Sequence, residues 1–112
     1  MLTIDALQEY GADTTTGLKR CAGKEALYLK LVQKIPQSDS FELLNQAIAE
    51  QDLEKAFEAA HALKGICANL ALTPLSEPAS EMTELLRAHT DMDYQDFLTK
   101  INKALDELKA LF

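Results

Sequence analysis

A chain of 112 residues with a formal net charge of −7 is sized for one domain, residues 1–112, and one modest core. Its 18 acidic residues against 11 basic ones leave no basic surface to neutralise phosphates, so neither nucleic acid nor an anionic membrane is an expected partner. Four glycines and three prolines interrupt a sequence dominated by helix formers, and no segment alternates as a strand does, so the class is all-α.

The segment from Thr3 to Tyr10 predicts a short helix, capped by Thr3 and stopped by Gly11. Asp13-Thr14-Thr15-Thr16 offers a second cap, for a helical piece running through Cys21 and ending at Gly23. Lys24 to Ile35 reads as an amphipathic helix with Leu27, Leu31 and Ile35 on its apolar face, closed by Pro36. Ser38-Asp39-Ser40 caps the next helix, whose stripe is Phe41, Leu44, Ala47 and Ile48 and whose end falls near Gln51.

Asp52 then caps the longest pattern in the chain. Leu53, Ala56, Ala60, Leu63, Cys67 and Leu70 recur at gaps of three and four, the stripe of a bundle helix. Thr73-Pro74 marks the following start, proline being allowed at the first helical position. Pro78 leaves two readings open: a helix from Thr73 that it bends, or a later start at Ser76 that holds it in the first turn. The stripe continues through Ala79, Met82, Leu85 and Leu86. His89-Thr90-Asp91 reads as a surface loop. Asp93 caps a last helix with Tyr94, Phe97 or Leu98, Ile101, Leu105, Leu108 and Phe112 on its face. Four substantial helices with short connections, behind short N-terminal helical segments, predict an antiparallel up-and-down four-helix bundle.

Met1-Leu2-Thr3-Ile4-Asp5 has neither the basic start nor the apolar run of a signal peptide. No stretch reaches the roughly 20 apolar residues of a membrane span. Cys21 and Cys67 fit buried, reduced thiols in a cytoplasmic protein, and neither has the Cys-x-x-Cys partner of a zinc site. A chain that begins at Met1 and spans little more than the bundle is expected to be free-standing, and it is expected to be monomeric because no helix is apolar all round.

His61 does not lie on the apolar stripe of its helix. At 100° per residue it points roughly 130° from the stripe's centre, with Lys64 and Gly65 one turn on and on the same side. An imidazole is largely neutral at pH 7, and its free nitrogen can attack a phosphoryl group to give a phosphoramidate that passes the group onward. Such a nitrogen must face solvent, needs a cation to counter the phosphoryl charge, and needs small neighbours so that two proteins can close on it. His61, Lys64 and Gly65 meet these demands in turn, and Ala68 assists the third. Gly65 is the most informative of them, because an exposed mid-helix glycine costs about 1 kcal/mol relative to alanine.

Two other chemistries fit less well. Glu58-Ala-Ala-His61 has the Glu-x-x-His spacing of di-iron bundles, but no second copy exists and both residues point away from the core. Gly11, Gly17, Gly23 and Gly65 form neither a Walker loop nor G-x-G-x-x-G, so the chain is not expected to bind ATP or act as a kinase.

The segment Ala60-His61-Ala62-Leu63-Lys64-Gly65-Ile66-Cys67-Ala68-Asn69-Leu70 resembles the signature of histidine-containing phosphotransfer (HPt) domains, the phosphocarriers of two-component phosphorelays. Tyr10 to Asp13, Gly17 to Gly23 and Lys24 to Tyr28 resemble the family's N-terminal region, and Leu75 and Glu81 to Leu86 its helix after the histidine. The resemblance implies His61 as the phosphorylated residue (through Nε2), Lys64 as its charge partner and Gly65 as the clearance position. Asn69 falls near the far end of the implied docking face, which also takes in Phe57 and Ala68. Ala71 stands where members often carry glycine, a turn and packing feature.

The implied partners are receiver domains of response regulators or hybrid kinases, most often in bacterial signalling. The alternative to a free-standing chain is a domain cut from a hybrid kinase. Magnesium is expected in the receiver and no cofactor in this chain. The rival expectation is a non-catalytic helical adaptor that binds a partner through the His61 face around Phe57.

Overall fold

The computed structural model describes all residues, Met1–Phe112, and contains helices and no strands. Three short helices come first: α1 (Ile4–Tyr10), α2 (Thr14–Arg20) and α3 (Glu25–Lys34), the last running into a single 3-10 turn at Ile35–Gln37 that carries Pro36. Four further helices follow: α4 (Ser40–Ala49), α5 (Leu53–Asn69), α6 (Thr73–Arg87) and α7 (Gln95–Lys109). Each of these packs on its chain neighbour, α5 most extensively on α6. Reciprocal hydrogen bonds between Asn45 of α4 and Asn102 of α7, at 3.2 and 3.0 Å, close the ring into a four-helix bundle.

Three of the predicted N-caps form with a side-chain hydrogen bond, whereas Asp39 stands at the start of α4 without one and Ser38 accepts from the Ser40 amide at 3.3 Å. Thr3 accepts from the Ala6 amide at 3.1 Å, Asp13 from Thr16 at 3.1 Å and Asp52 from Lys55 at 3.2 Å. Each satisfies an amide that the helix itself leaves free. Asp93 accepts from the Gln95 amide at 2.9 Å, where α7 begins. Gly11 ends α1 with φ +114°, a conformation that a side chain would strain. Pro78 lies buried inside α6, and the helix starts at Thr73 and runs through it, which settles the choice of start.

The predicted face of α3 holds at Ile35, which is buried, and fails at the other two positions. Leu27 is exposed and Leu31 half-buried, while Tyr28 and Val32 are fully buried. The helix is turned by one residue because the Tyr28 hydroxyl donates to the Leu70 carbonyl at 2.8 Å, which anchors α3 to the end of α5. Gly17 makes room for that ring: a Cβ there would come within 2.5 Å of the Tyr28 ring carbon Cε1 and hydroxyl. Two smaller departures are Phe112, exposed in the turn beyond α7, and Leu53, exposed on the first turn of α5.

The N-terminal helices pin the α5–α6 corner. The Asp13 amide donates to the Ala71 carbonyl at 2.9 Å, and the Arg20 guanidinium donates to the Ala68 carbonyl. A cation suits the carbonyl end of a helix. Tyr10 ties α1 to α7 by donating to the Ala104 carbonyl at 2.8 Å. Held from one side by the core and at its C-terminal end by this corner, α5 leaves its opposite face open.

Candidate functional site

The site is built on the outer face of α5. Ala56, Ala59, Ala60, Leu63 and Cys67 are buried against the bundle. On the other side His61 and Gly65 are exposed, and Lys64 keeps about a third of its side chain in solvent. The structure therefore brings His61, Lys64 and Gly65 together on one turn of helix, as their spacing predicts.

The neighbouring helix α6 adds two charged residues that the sequence reading did not single out. Glu84 lies with one carboxylate oxygen 3.8 Å from the Lys64 ammonium and the other 3.5 Å from the Arg87 guanidinium. Arg87 in turn sits over the Phe57 ring, 5.1 Å from its centroid, in cation–π contact. The Phe57 ring stacks on the His61 imidazole with centroids 5.7 Å apart and planes 5° from parallel. Phe57 and His61 are one turn apart on α5, and Glu84 and Arg87 one turn apart on α6, so both pairs follow from helix geometry. Their meeting depends on how α5 and α6 cross.

Gly65 opens the surface beside the ring. A Cβ built there meets no atom within 4 Å, so no packing demand explains the glycine. Gly17, by contrast, is a packing glycine under Tyr28. Farther along α5, Ala68 is half-buried with its carbonyl engaged by Arg20, and Asn69 is exposed at the helix end. Ala71 follows with φ +56°, a left-handed conformation that costs an L-residue of order 1–2 kcal/mol.

An open groove of about 600 Å³ adjoins Phe57 and runs towards the N-terminal end of α5, lined by Leu53, Glu54, Leu86, Arg87 and His89. The exposed apolar surface of Leu53 thus lies next to the histidine face. His89 is exposed at the end of α6 with φ +56°.

The remaining nucleophiles are withdrawn. Cys67 is buried, and loss of water pushes its thiol up to about 12, so it stays protonated and inert. Cys21 is buried as well. No group of three or more His, Cys, Asp or Glu side chains is placed to hold a metal ion, and both Glu58 and His61 face solvent rather than a shared core site. No helix is long and apolar enough to cross a membrane.

Comparison with known families gives a match to the Hpt domain over residues 37–111, which takes in α4 to α7 and the whole of the His61 face. The chain belongs to the Hpt domain family, and its general role is histidine phosphotransfer in a phosphorelay, in which domains of this family engage the receivers of response regulators. No curated protein and no solved structure matches the chain.

Proposed function

We propose that the protein carries a phosphoryl group on His61, taking it from the aspartyl phosphate of one receiver domain and passing it to the aspartate of another. The observation that carries this reading is the exposed imidazole beside a glycine that nothing in the fold requires. In the uptake step the Nε2 lone pair attacks phosphorus, a nitrogen–phosphorus bond forms, and the bond to the aspartyl oxygen breaks. The electron pair leaves with the receiver's carboxylate, and the ring retains its Nδ1 proton for release to water. The reverse sequence delivers the group to the second receiver.

Each neighbour has a part. Lys64 counters the phosphoryl charge, Gly65 gives the receiver's aspartate a path to the ring, and Phe57 holds the imidazole plane by stacking. The groove beside Phe57, with Leu53 on its floor, offers apolar docking area, and Ala68 and Asn69 extend the face in the other direction. The chain thus supplies a positioned nucleophile, while magnesium and acid–base machinery belong to the receiver. A monomer in the cytoplasm suits this role, since the exposed face must exchange partners.

The test is incubation with a receiver charged with labelled phosphate. Acid-labile, alkali-stable phosphate should appear on the wild type and be lost in His61→Gln, with the thermal melt unchanged. Retained labelling in His61→Gln would sink the assignment. Tight receiver binding with no phosphate uptake would favour the adaptor, whose support is the same apolar groove.

A further inference from the structure

Lys64 and Arg87 come from different helices and share one carboxylate, Glu84, which offers a separate oxygen to each. Glu84 is more than half exposed, and both contacts are longer than a close ion pair, so water competes for every member. Nothing in the packing demands an acid at this place. Arg87 lies on the Phe57 ring, and that ring lies on His61, so the guanidinium is one aromatic ring away from the reacting imidazole. Lys64 reaches the same side from one turn below.

We propose that Glu84 is an internal stand-in for the phosphoryl group: it holds Lys64 and Arg87 beside His61 in the resting protein, and phosphorylation of His61 draws both cations away from it. The inference rests on His61 being the phosphorylated residue. A phosphoryl group carries about −1.5 to −2 charges and three acceptor oxygens, against one charge on a carboxylate, so it wins the competition for a guanidinium and an ammonium within reach. Because the resting pairs are exposed and screened, giving them up opposes the exchange only weakly. Glu84 thereby lowers the attraction that the two cations exert on the phosphoryl group. The effect is to keep phosphohistidine reactive enough to give its phosphoryl group up. Arg87 and Glu84 act here through charge and position, not by bonding to the reacting atoms in the transfer itself.

The chain has only two histidines, so a His89→Gln background leaves His61 as the one site that phosphoramidate can label. In that background, the second ionisation of the phosphoryl group is followed by phosphorus NMR in the parent and in Glu84→Gln, Arg87→Ala and Lys64→Ala. A unit charge ~7 Å away in a water-like medium moves such a midpoint by ~0.4 pH. The midpoint should fall by about this amount in Glu84→Gln and rise in Arg87→Ala and Lys64→Ala, and added salt should compress the differences. Glu54 and Glu58 on α5 and Glu81 on α6 are common to all four proteins and cancel. With a phosphorylated receiver as donor, Glu84→Gln should shift the exchange equilibrium towards phosphohistidine by a factor of about 2–3, the same effect in another readout.

Equal midpoints in the parent and Glu84→Gln, or a midpoint that rises in Glu84→Gln, overturn the stand-in role. Labelling of His61 by phosphoramidate with ordered midpoints, but no uptake from any charged receiver, overturns the relay function and leaves the ion exchange standing.

Discussion

Gly65→Ala and Gly17→Ala should move stability in opposite directions, although both place a methyl group within a helix. Helix propensity alone favours alanine at each position by about 0.8–1 kcal/mol. At Gly65 the new Cβ meets nothing within 4 Å, so the gain is kept in full. At roughly 4 °C per kcal/mol for a domain of this size, the melting temperature should rise by about 3–4 °C. At Gly17 the Cβ would lie within 2.5 Å of the Tyr28 ring and hydroxyl, and that ring is fully buried and tied to the Leu70 carbonyl. Overpacking costs about 1–3 kcal/mol, and a contact this short against a buried ring belongs at the upper end; after the propensity gain about 2 kcal/mol is lost, which should lower melting by roughly 8 °C. The larger Gly65→Gln should also melt at or above the wild-type temperature while slowing transfer from a phosphorylated receiver at least about tenfold, about 1.4 kcal/mol of transition-state access. Thermal melts paired with single-turnover transfer rates measure both quantities. A destabilised Gly65→Ala would show that Gly65 packs against something, and wild-type transfer by Gly65→Gln would refute the clearance argument.

Three other perturbations have definite expected outcomes. Ala71→Gly relieves the left-handed strain at φ +56° but adds unfolded-state entropy, so the net gain should be small, at most ~1 kcal/mol in urea unfolding. Tyr28→Phe leaves the buried Leu70 carbonyl without its donor and should cost about 1–2 kcal/mol, read as a lower urea midpoint at unchanged m-value. The carboxyl of Asp13 is held below its ordinary value of 3.8, chiefly by the Thr16 hydroxyl and then by the Thr16 amide. A depressed carboxylate contributes stability above its unfolded value and loses it as pH falls through the folded one. Asp13→Asn keeps a capping oxygen without the titration, so the loss of stability below about pH 4 should be shallower than in the wild type. Equal slopes in acid would remove the cap's electrostatic part.

Much of the site was legible because it sits on one helix. His61, Lys64 and Gly65 are related by spacing alone, and the Asp52 cap and the stripe from Ala56 to Leu70 fix the phase of α5. The face of α3 was not legible, since Leu27/Leu31 and Tyr28/Val32 share the same i, i+4 spacing. The choice is made by the Gly17 gap and the Leu70 carbonyl, both remote in sequence. Glu84 and Arg87 have no signal in the sequence beyond an i, i+3 spacing of opposite charges on α6, and only the crossing of α5 and α6 sets them against Lys64 and Phe57. Pro78 was ambiguous because two starts of α6 accommodate it, and the observed helix takes the earlier one, at Thr73.

The most direct test of the central claim is to locate the phosphate on the intact protein. The wild type is charged by a phosphorylated receiver, digested at neutral pH and mapped by mass spectrometry with non-ergodic fragmentation. The account predicts one phosphate, on His61, and none on His89, which lies beyond the end of α6 with no neighbouring glycine gap. Phosphate on His89, or on no histidine while the receiver loses its own, would contradict the account.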